Sequence, residues 1–515
     1  MRAAACAALL ISSLAAGAAR AATNFEIDEY RVVGNTVLNE DTIDDTLYPF
    51  LGPGRTAADV EHARQALSNL YTARGYNTVF AQVPRQRVTD GVIVIEVVER
   101  HIGRLRVTGS RYFSPDTIRA QAPSLAPGSV PNIAAIKRDI LALNQWPDRT
   151  ITPVLKAGST VDTVDVDLQV QDKAPVHASL EWNDRQSYHT TRTRLQGSVS
   201  YDNLWQRGDS LSASFLVAPM RVKDANVFTA AYQYRIPNSD DTLTLSYLHS
   251  GSHVATVGTS SVVGRGYDIG LLYSIPLRAS GGFTDQISAG LDFKRFAQII
   301  PGDLAGNNTP ITYVPASLAY QAIWTTKTTT TTLAPSVVAG IAPLSDDAAK
   351  FSVGRDGANP DFIYFRLDGT RTQPLVAGTQ LYLHVAGQEA MEPLVSNEQL
   401  ALGGADTVRG YLESEVLGDY GVFDQIEWRT PRLSLPRWAI DQYRGFLFYD
   451  TGKVWTRDTL PGEPAATGLE SAGFGLRANF ATYLSAETDF ARVLVSGPYT
   501  RAGSERFLFR LIGGF

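Results

Sequence analysis

The sequence predicts a transmembrane antiparallel β-barrel of sixteen strands, preceded by two small α+β modules. Three observations carry that prediction. A strand, helix, helix, strand, strand pattern occurs twice in the first third of the chain. Strict polar–apolar alternation then runs from Lys173 to the end. The connections within that alternating region are short and long by turns.

Composition sets the frame. At 515 residues the chain exceeds one ordinary soluble domain. A formal net charge of -6 argues against a nucleic-acid partner, which calls for a basic face. The 43 glycines and 22 tyrosines, against 19% charged residues, fit β-rich structure. A mean hydropathy of -0.10 excludes a polytopic helical membrane protein. No mature segment reaches the roughly 18 apolar residues of a spanning helix. Entry into a membrane is therefore possible only as a barrel.

Residues 1–21 read as a secretory signal: Arg2 supplies the positive charge, Ala3 to Leu14 are mostly apolar, and Ala19-Arg20-Ala21 gives the cleavage pattern. The only cysteine, Cys6, lies inside it without a lipobox. The mature chain then has no disulfide, zinc-thiolate site or cysteine nucleophile.

The first module spans 25–100. "FEIDEYRVVGNT" is a strand, "NEDTIDDTLYPFL" a short helix opened by Asn39, and "TAADVEHARQALSNLYTARGY" a helix capped by Thr56. In it Val60, Ala63, Leu67, Leu70 and Tyr71 recur at helical spacing. "TVFAQVPRQRVTDG" and "GVIVIEVVER" form a hairpin. The second module, 101–172, repeats the order. "IGRLRVTGSRYF" carries the same V-x-G at its strand end, and "IAAIKRDILALNQW" replaces the long helix. Pro84 and Pro153 fall in corresponding strands, which marks those strands as sheet edges because proline cannot donate to a central ladder.

From 173 to 515 the period is two. In "SLSASFLV", Leu211, Ala213, Phe215 and Val217 alternate with serines; "TLTLSY" and "LQGSVSY" behave alike. About sixteen such segments can be placed, with odd connections of roughly 7 to 32 residues and even ones of roughly 2 to 12. Closure is expected between the last strand and one near Ala178–Asp184. In the closing "RFLFRLIGGF", Phe507, Phe509, Leu511 and Phe515 share one face, and Arg506 and Arg510 share the other. This resembles the terminal signal that bacterial barrels show to their assembly machinery.

One charge stands out. "LGGADTVRGY", Leu402 to Tyr411, sets Arg409 among glycines in the longest connection, 388–419. In "RGFLFYDTGKVW", Arg444, Phe446, Phe448 and Asp450 take one face of a strand. A carboxylate facing lipid costs several kcal/mol, so that face is the lumen. Two phenylalanines there imply something packed against them. A loop folded inward meets the need, with the Arg409 guanidinium forked onto Asp450.

With these residues in place, the chain resembles the two-partner-secretion transporters of the haemolysin secretion/activation family. The order of parts matches: two polypeptide-transport-associated (POTRA) modules, a sixteen-stranded barrel, then Val408-Arg409-Gly410-Tyr411 in the sixth outer loop. Phe448-Tyr449-Asp450 matches the family's F-x-D motif on strand thirteen, whose acid pairs with the arginine. Tyr201 to Pro219 is similar to an early barrel hairpin. Many members carry a plugging helix before the first module. Here Phe25 opens that module almost at the cleavage site, so a detachable plug is not expected and the inward loop stands as the main obstruction.

The resemblance implies an outer-membrane protein with its POTRA modules in the periplasm, embedded in outer-membrane lipid. It implies export of one large secreted partner, of β-helical type, and no cofactor. The alternative is a factor that inserts other barrels; such factors usually carry more POTRA modules. An unfolded partner can add a strand to the module edges, Thr78–Thr89 and Arg149–Gly158, through Val79, Phe80, Gln82, Ile151, Val154 and Leu155. A barrel enzyme or passive porin is the third class. No G-x-S-x-G or H-E-x-x-H motif occurs, so no catalytic site is expected. His62 reads as a surface residue, and His249 and His253 flank an outer loop without metal-binding geometry. Asn307-Asn308-Thr309 matches a glycosylation sequon that has no meaning in an outer membrane.

Overall fold

The computed structural model describes residues 24–515 apart from 238, 253, 258–259, 298–309, 436–439 and 481–482. The signal segment 1–21, His253 and the Asn307–Thr309 sequon lie outside the described residues. The chain divides into two compact units, Met1–Ala174 and Pro175–Phe515.

The first unit holds two copies of one plan. The first copy runs β1 (Phe25–Ile27), β2 (Glu29–Val33), α1 (Glu40–Leu47), β3 (Gly52–Arg55), α2 (Ala57–Ala73), β4 (Phe80–Gln82) and β5 (Val92–Val98). The second runs β6 (His101–Thr108), α3 (Pro115–Ala120), α4 (Ile133–Leu143), β7 (Arg149–Ala157) and β8 (Thr163–Asp172). In each copy the last strand is central, parallel to β2 or β6 and antiparallel to the strand after the long helix. That strand, β4 or β7, is an edge. Pro153 lies within β7, where an edge tolerates it, whereas Pro84 falls just beyond β4.

Local chemistry explains the helices. The Thr56 amide and hydroxyl both donate to Asp59 at 2.8 Å, closing a capping box on α2. Asn132 accepts from the amides of Ala134 and Ala135 at 3.1 Å to cap α4. Val60, Ala63, Leu67 and Tyr71 of α2 pack on Ile93, Ile95 and Val97 of β5. The single strand expected at "FEIDEYRVVGNT" is instead broken at Asp28. The amides of Asp28 and Glu29 both donate to the Gly91 carbonyl, and β1 leaves to pair with β3.

The repeated V-x-G has one cause in both copies. Gly34 and Gly109 each adopt φ +86°, and a Cβ there would stand 2.4 Å from the carbonyl oxygen of Val97 or Val170 on the central strand. Only glycine permits that approach.

The second unit is a closed antiparallel barrel of sixteen strands. They are β9 (Val176–Asn183), β10 (Arg194–Leu204), β11 (Asp209–Val217), β12 (Asn226–Arg235), β13 (Thr242–Ser250), β14 (Arg265–Ser280), β15 (Phe283–Ala297) and β16 (Pro310–Tyr313 with Pro315–Thr325). They continue as β17 (Thr330–Gly340), β18 (Ile363–Pro374), β19 (Gln380–Ala390), β20 (Tyr420–Arg429 with Leu433–Leu435), β21 (Ile440–Trp455), β22 (Ala466–Phe480), β23 (Leu484–Val493) and β24 (Glu505–Gly514). β16 is interrupted at Val314, whose amide goes to the Ser345 hydroxyl at 3.1 Å and whose carbonyl accepts from Ile341. The backbone therefore stays satisfied across the break.

β24 closes onto β9, with Arg510 opposite Asn183 and Leu511 opposite Trp182. Main-chain bonds in both directions between Ala178 and Phe515 extend that seam. The connection 281–282 is a pair of glycines at φ +60° and +86°, the conformation a two-residue hairpin requires. At the other end lie 341–362 and the longest connection, 391–419. Alternation along β21 sorts the faces: Phe446, Phe448 and Asp450 are buried inward, while Leu447 and Tyr449 face outward and exposed.

The two glycines yield a test. Gly34→Ala and Gly109→Ala should each destabilise their own module by about 1–3 kcal/mol, the cost of a non-glycine residue held in strained backbone. Limited proteolysis of the full chain should show faster cleavage in the altered module and an unchanged barrel.

Candidate functional site

The connection 391–419 turns into the barrel. It carries its own hairpin, Leu400–Leu402 paired with Val416–Gly418. Between those arms lies the segment around Arg409. Gly404 adopts φ +106°, and a Cβ there would lie 2.4 Å from the Glu413 carboxylate. Gly410 adopts φ +92° and sits so near β23 that its Cβ would meet Ala491 and Val493 at 3.2 Å. The glycines let the loop double back and press against the wall.

Arg409 is 2% exposed and Asp450 is fully buried. The Arg409 Nε donates to Asp450 Oδ2 at 2.7 Å and Nη2 donates to Oδ1 at 2.7 Å. The Arg409 main-chain amide adds a third bond to Oδ2 at 3.1 Å. The remaining guanidinium edge donates from Nη1 to Glu427 Oε1 at 2.7 Å. Glu427, also buried, accepts in turn from Arg429 at 2.7 Å and from Arg477 at 2.9 and 3.0 Å. Arg477 reaches on to Glu487 at 2.7 Å. Arg409, Arg429 and Arg477 are thus shared among acids on β20, β21 and β23, and both Glu427 and Asp450 meet a cation.

The two inward phenylalanines lie beneath guanidiniums. Arg409 stands 3.7 Å above the Phe448 ring, and Arg477 stands 4.2 Å above Phe446. A cation over an aromatic face is favourable, more so where water is excluded. Val408 is buried with Leu402, Phe423, Val454, Leu469 and Val493. The Tyr411 hydroxyl accepts from the Glu470 amide at 2.9 Å and donates to the Val495 carbonyl. Arg506 donates to the Tyr411 carbonyl at 2.8 Å. Each of Val408, Arg409, Gly410 and Tyr411 thereby touches the barrel wall.

More contacts hold the tip. Arg185, in the connection after β9, makes a two-bond pair with Asp406 at 2.6 and 2.8 Å. Glu415 accepts from the amides of Tyr499 and Thr500 at 2.8 and 2.7 Å. Beside the loop the lumen keeps a cavity of ≈ 1090 Å³, lined by Asp268, Arg366, His384, Glu427 and Arg510 among others.

The sequence reasoning missed Glu427, Arg429, Arg477 and Glu487. The signal for Glu427 was present: Phe423, Gln425, Glu427 and Arg429 alternate on one face of β20, as the residues around Asp450 do on β21.

The other candidate residues are placed as follows. Phe80 and Gln82 lie on β4, while Val79 precedes it with its side chain in the module core. The expected edge Thr78–Thr89 is regular only over Phe80–Gln82. Ile151, Val154 and Leu155 lie on β7; Ile151 is buried and Leu155 exposed. Phe507 and Phe515 are exposed, and Phe509 packs edge-on against Trp182 across the seam at 4.9 Å. Leu511 shares their face opposite Trp182 in register. Arg510 bonds Glu181 at 2.8 Å on the lumen side. His62 and His249 are exposed.

Comparison with known proteins follows the same division. The family described as haemolysin secretion/activation protein ShlB/FhaC/HecB matches residues 162–478, and the POTRA domain of ShlB type matches 25–100. The outer membrane transporter CdiB of Dickeya dadantii (strain 3937) is 20% identical over 418 residues, covering 79% of this chain and 73% of that protein. The solved structure of CdiB from Escherichia coli is similar at a TM-score of 0.65 and 19% identity, covering 98% of this chain and 93% of that one. BamA from Haemophilus ducreyi lacking POTRA domains 1–3 gives 0.57 at 13% identity, covering 95% of this chain and 100% of that one. At these identities the structural likenesses speak to the fold alone.

The charge cluster makes an asymmetric prediction. Arg409→Ala strands a buried Asp450 and should cost the seated loop about 3–5 kcal/mol. Asp450→Ala should cost less, because Arg409 keeps Glu427. The double variant should cost less than the sum of the two single losses. Arg409→Lys should rescue partially, since one ammonium cannot make the planar two-bond contact. All variants should insert as heat-resistant barrels, with altered conductance in planar bilayers and reduced secretion. Strict additivity of the single effects would show that the residues do not act as a pair.

Proposed function

The chain belongs to the haemolysin secretion/activation family ShlB/FhaC/HecB, and on that premise we propose how its parts divide the work of secretion. It is an outer-membrane two-partner-secretion transporter, with a β-barrel in the membrane and POTRA structure in the periplasm. Its partner is a secreted exoprotein. The family is one of transporters rather than a class of enzymes.

Residues 25–100 and 101–172 act as two POTRA modules that capture the unfolded partner. The open edges of β4 and β7 supply main-chain pairing, which gives affinity with little demand on sequence. The partner is a large β-helical protein that crosses the lumen extended and folds outside. The periplasm holds no ATP, so binding and folding on the far side bias the motion outward. The loop carrying Val408, Arg409, Gly410 and Tyr411 obstructs the lumen at rest and yields to the passing chain. Phe507, Phe509, Leu511 and Phe515 present the barrel to the outer-membrane assembly machinery during biogenesis.

One observation supports this reading above the rest. The obstruction is fastened by side-chain ion pairs, packing and a main-chain bond from Glu413 to Gln186 in the connection after β9, while the sixteen strands close without it. It can leave without opening the barrel. The rival role, insertion of other barrels, has only the fold in its favour, and a shared fold does not carry a shared activity.

Deleting Phe25 to Arg100 supplies the test. The truncated chain should still insert and form a heat-resistant barrel, because closure depends on β9 and β24. Export of the exoprotein should be lost. Normal secretion by the truncated chain would overturn the capture role of the first module.

A further inference from the structure

The inward loop is fastened a second time, at its stem. Glu398 is 1% exposed. Its carboxylate accepts from Lys294 Nζ at 2.8 Å, from the Tyr313 hydroxyl at 2.8 Å and from the Tyr364 hydroxyl at 2.6 Å. Its carbonyl oxygen accepts from Arg366 Nη2 at 3.2 Å and Gln388 Nε2 at 3.0 Å. These donors project from β15, β16, β18 and β19. None of them belongs to the set around Arg409, which projects from β20 to β23.

Asp419, at the other foot of the loop, is fully buried and binds the two feet together. Its Oδ1 accepts from the Leu394 amide at 2.8 Å and Gln399 Nε2 at 2.9 Å, and its Oδ2 accepts from the Arg457 amide at 2.8 Å. Gln388 bonds the carbonyls of both Glu398 and Asp419, each at 3.0 Å. The stem is therefore one hydrogen-bonded body, and residues 399–408 run from it to the Arg409 cluster on another arc of the wall.

We propose that Glu398 is a positioning residue that fixes the stem of the loop independently of Arg409, so that a tip released from Asp450 swings about a stationary stem. This rests on the reading that the loop yields during transport. A carboxylate removed from water must be met by donors, or its lost hydration goes uncompensated. Here one ammonium and two hydroxyls meet it, and the stem stays seated when the tip contacts go. Lys294 has a further acidic neighbour in register, Asp268, so replacing Glu398 does not leave the ammonium isolated. The stem can thus be loosened without stranding a charge in the wall.

The two anchors can be followed separately by spin-label distances. In the full chain carrying Cys6→Ser and reconstituted in lipid vesicles, one label pair joins Ala405→Cys at the tip to Thr328→Cys on an exposed turn. A second pair joins Ser396→Cys at the stem to the same turn. Asp450→Ala should add a longer-distance population to the tip pair and leave the stem pair unchanged. Glu398→Ala should add one to the stem pair, and Glu398→Gln, which keeps an acceptor but loses the charge, should add a smaller one. Should Glu398→Ala not insert, Tyr313→Phe with Tyr364→Phe removes two donors and leaves the ion pair; the stem distribution should still shift. An unchanged stem in the variant measured, or displacement of both pairs by Asp450→Ala alone, overturns the inference. Secretion is scored in parallel. If the label results stand while every variant secretes normally, the anchor survives and the reading of the loop as a yielding obstruction fails.

Discussion

Hydrocarbon offers no partner to an unbonded amide or carbonyl, and that constraint shapes the second unit throughout. A sheet in lipid must close, and β24 closes onto β9 through paired residues that continue to Phe515 itself. Closure then assigns every strand residue to lipid or to lumen. With sixteen strands the interior is too wide for wall side chains to fill. Polar groups on the inward face keep their solvent, and space remains for a segment of the chain to enter. Barrel size is what leaves room for the inward loop.

What fastens the loop is chosen accordingly. Main-chain pairing with a wall strand would compete with the ladder that keeps the barrel shut. Side-chain pairs leave the ladder intact. Arginine suits the task better than lysine because its planar fork spans both oxygens of Asp450 and still presents an edge to Glu427. Glycine at 410 permits the approach to Ala491 and Val493 that brings the fork into range. Aromatic faces lie beneath the guanidiniums and add to the pairing of Arg409 and Arg477 with Asp450 and Glu427.

Much of this was legible in the sequence because period two is a strong signal where one face meets lipid. The inward placement of Asp450 follows from the cost of a charge in hydrocarbon, and Arg409 follows as the charge left over in a glycine-rich loop. The repeated V-x-G encoded a backbone contact that both modules need. Glu427 was equally readable by alternation but was overlooked because its strand carries no pairing motif. Glu398 was not readable. Its partners Lys294, Tyr313 and Tyr364 come from three strands distant in sequence, and only the register of the closed barrel brings them together. The break at Asp28 was hidden for a similar reason, since it depends on the Gly91 carbonyl more than sixty residues on.

The strength of the latch is set by water as much as by charge. An exposed ion pair is worth little, because each partner is nearly as well solvated alone. The same pair deprived of water resists separation strongly. Around Arg409 the exclusion of water falls to apolar neighbours: Val408 seated among Leu402, Val454 and Val493, and the rings of Phe446 and Phe448. These residues carry no charge of their own, yet they set how strongly the guanidinium is held. A polypeptide that merely fills the open part of the lumen leaves that packing intact. One that wedges against Val408 admits water, and the pair weakens as it hydrates. If the loop yields as proposed, displacement of its apolar surround is enough to weaken the pair, and the passing chain need not recognise the charges themselves.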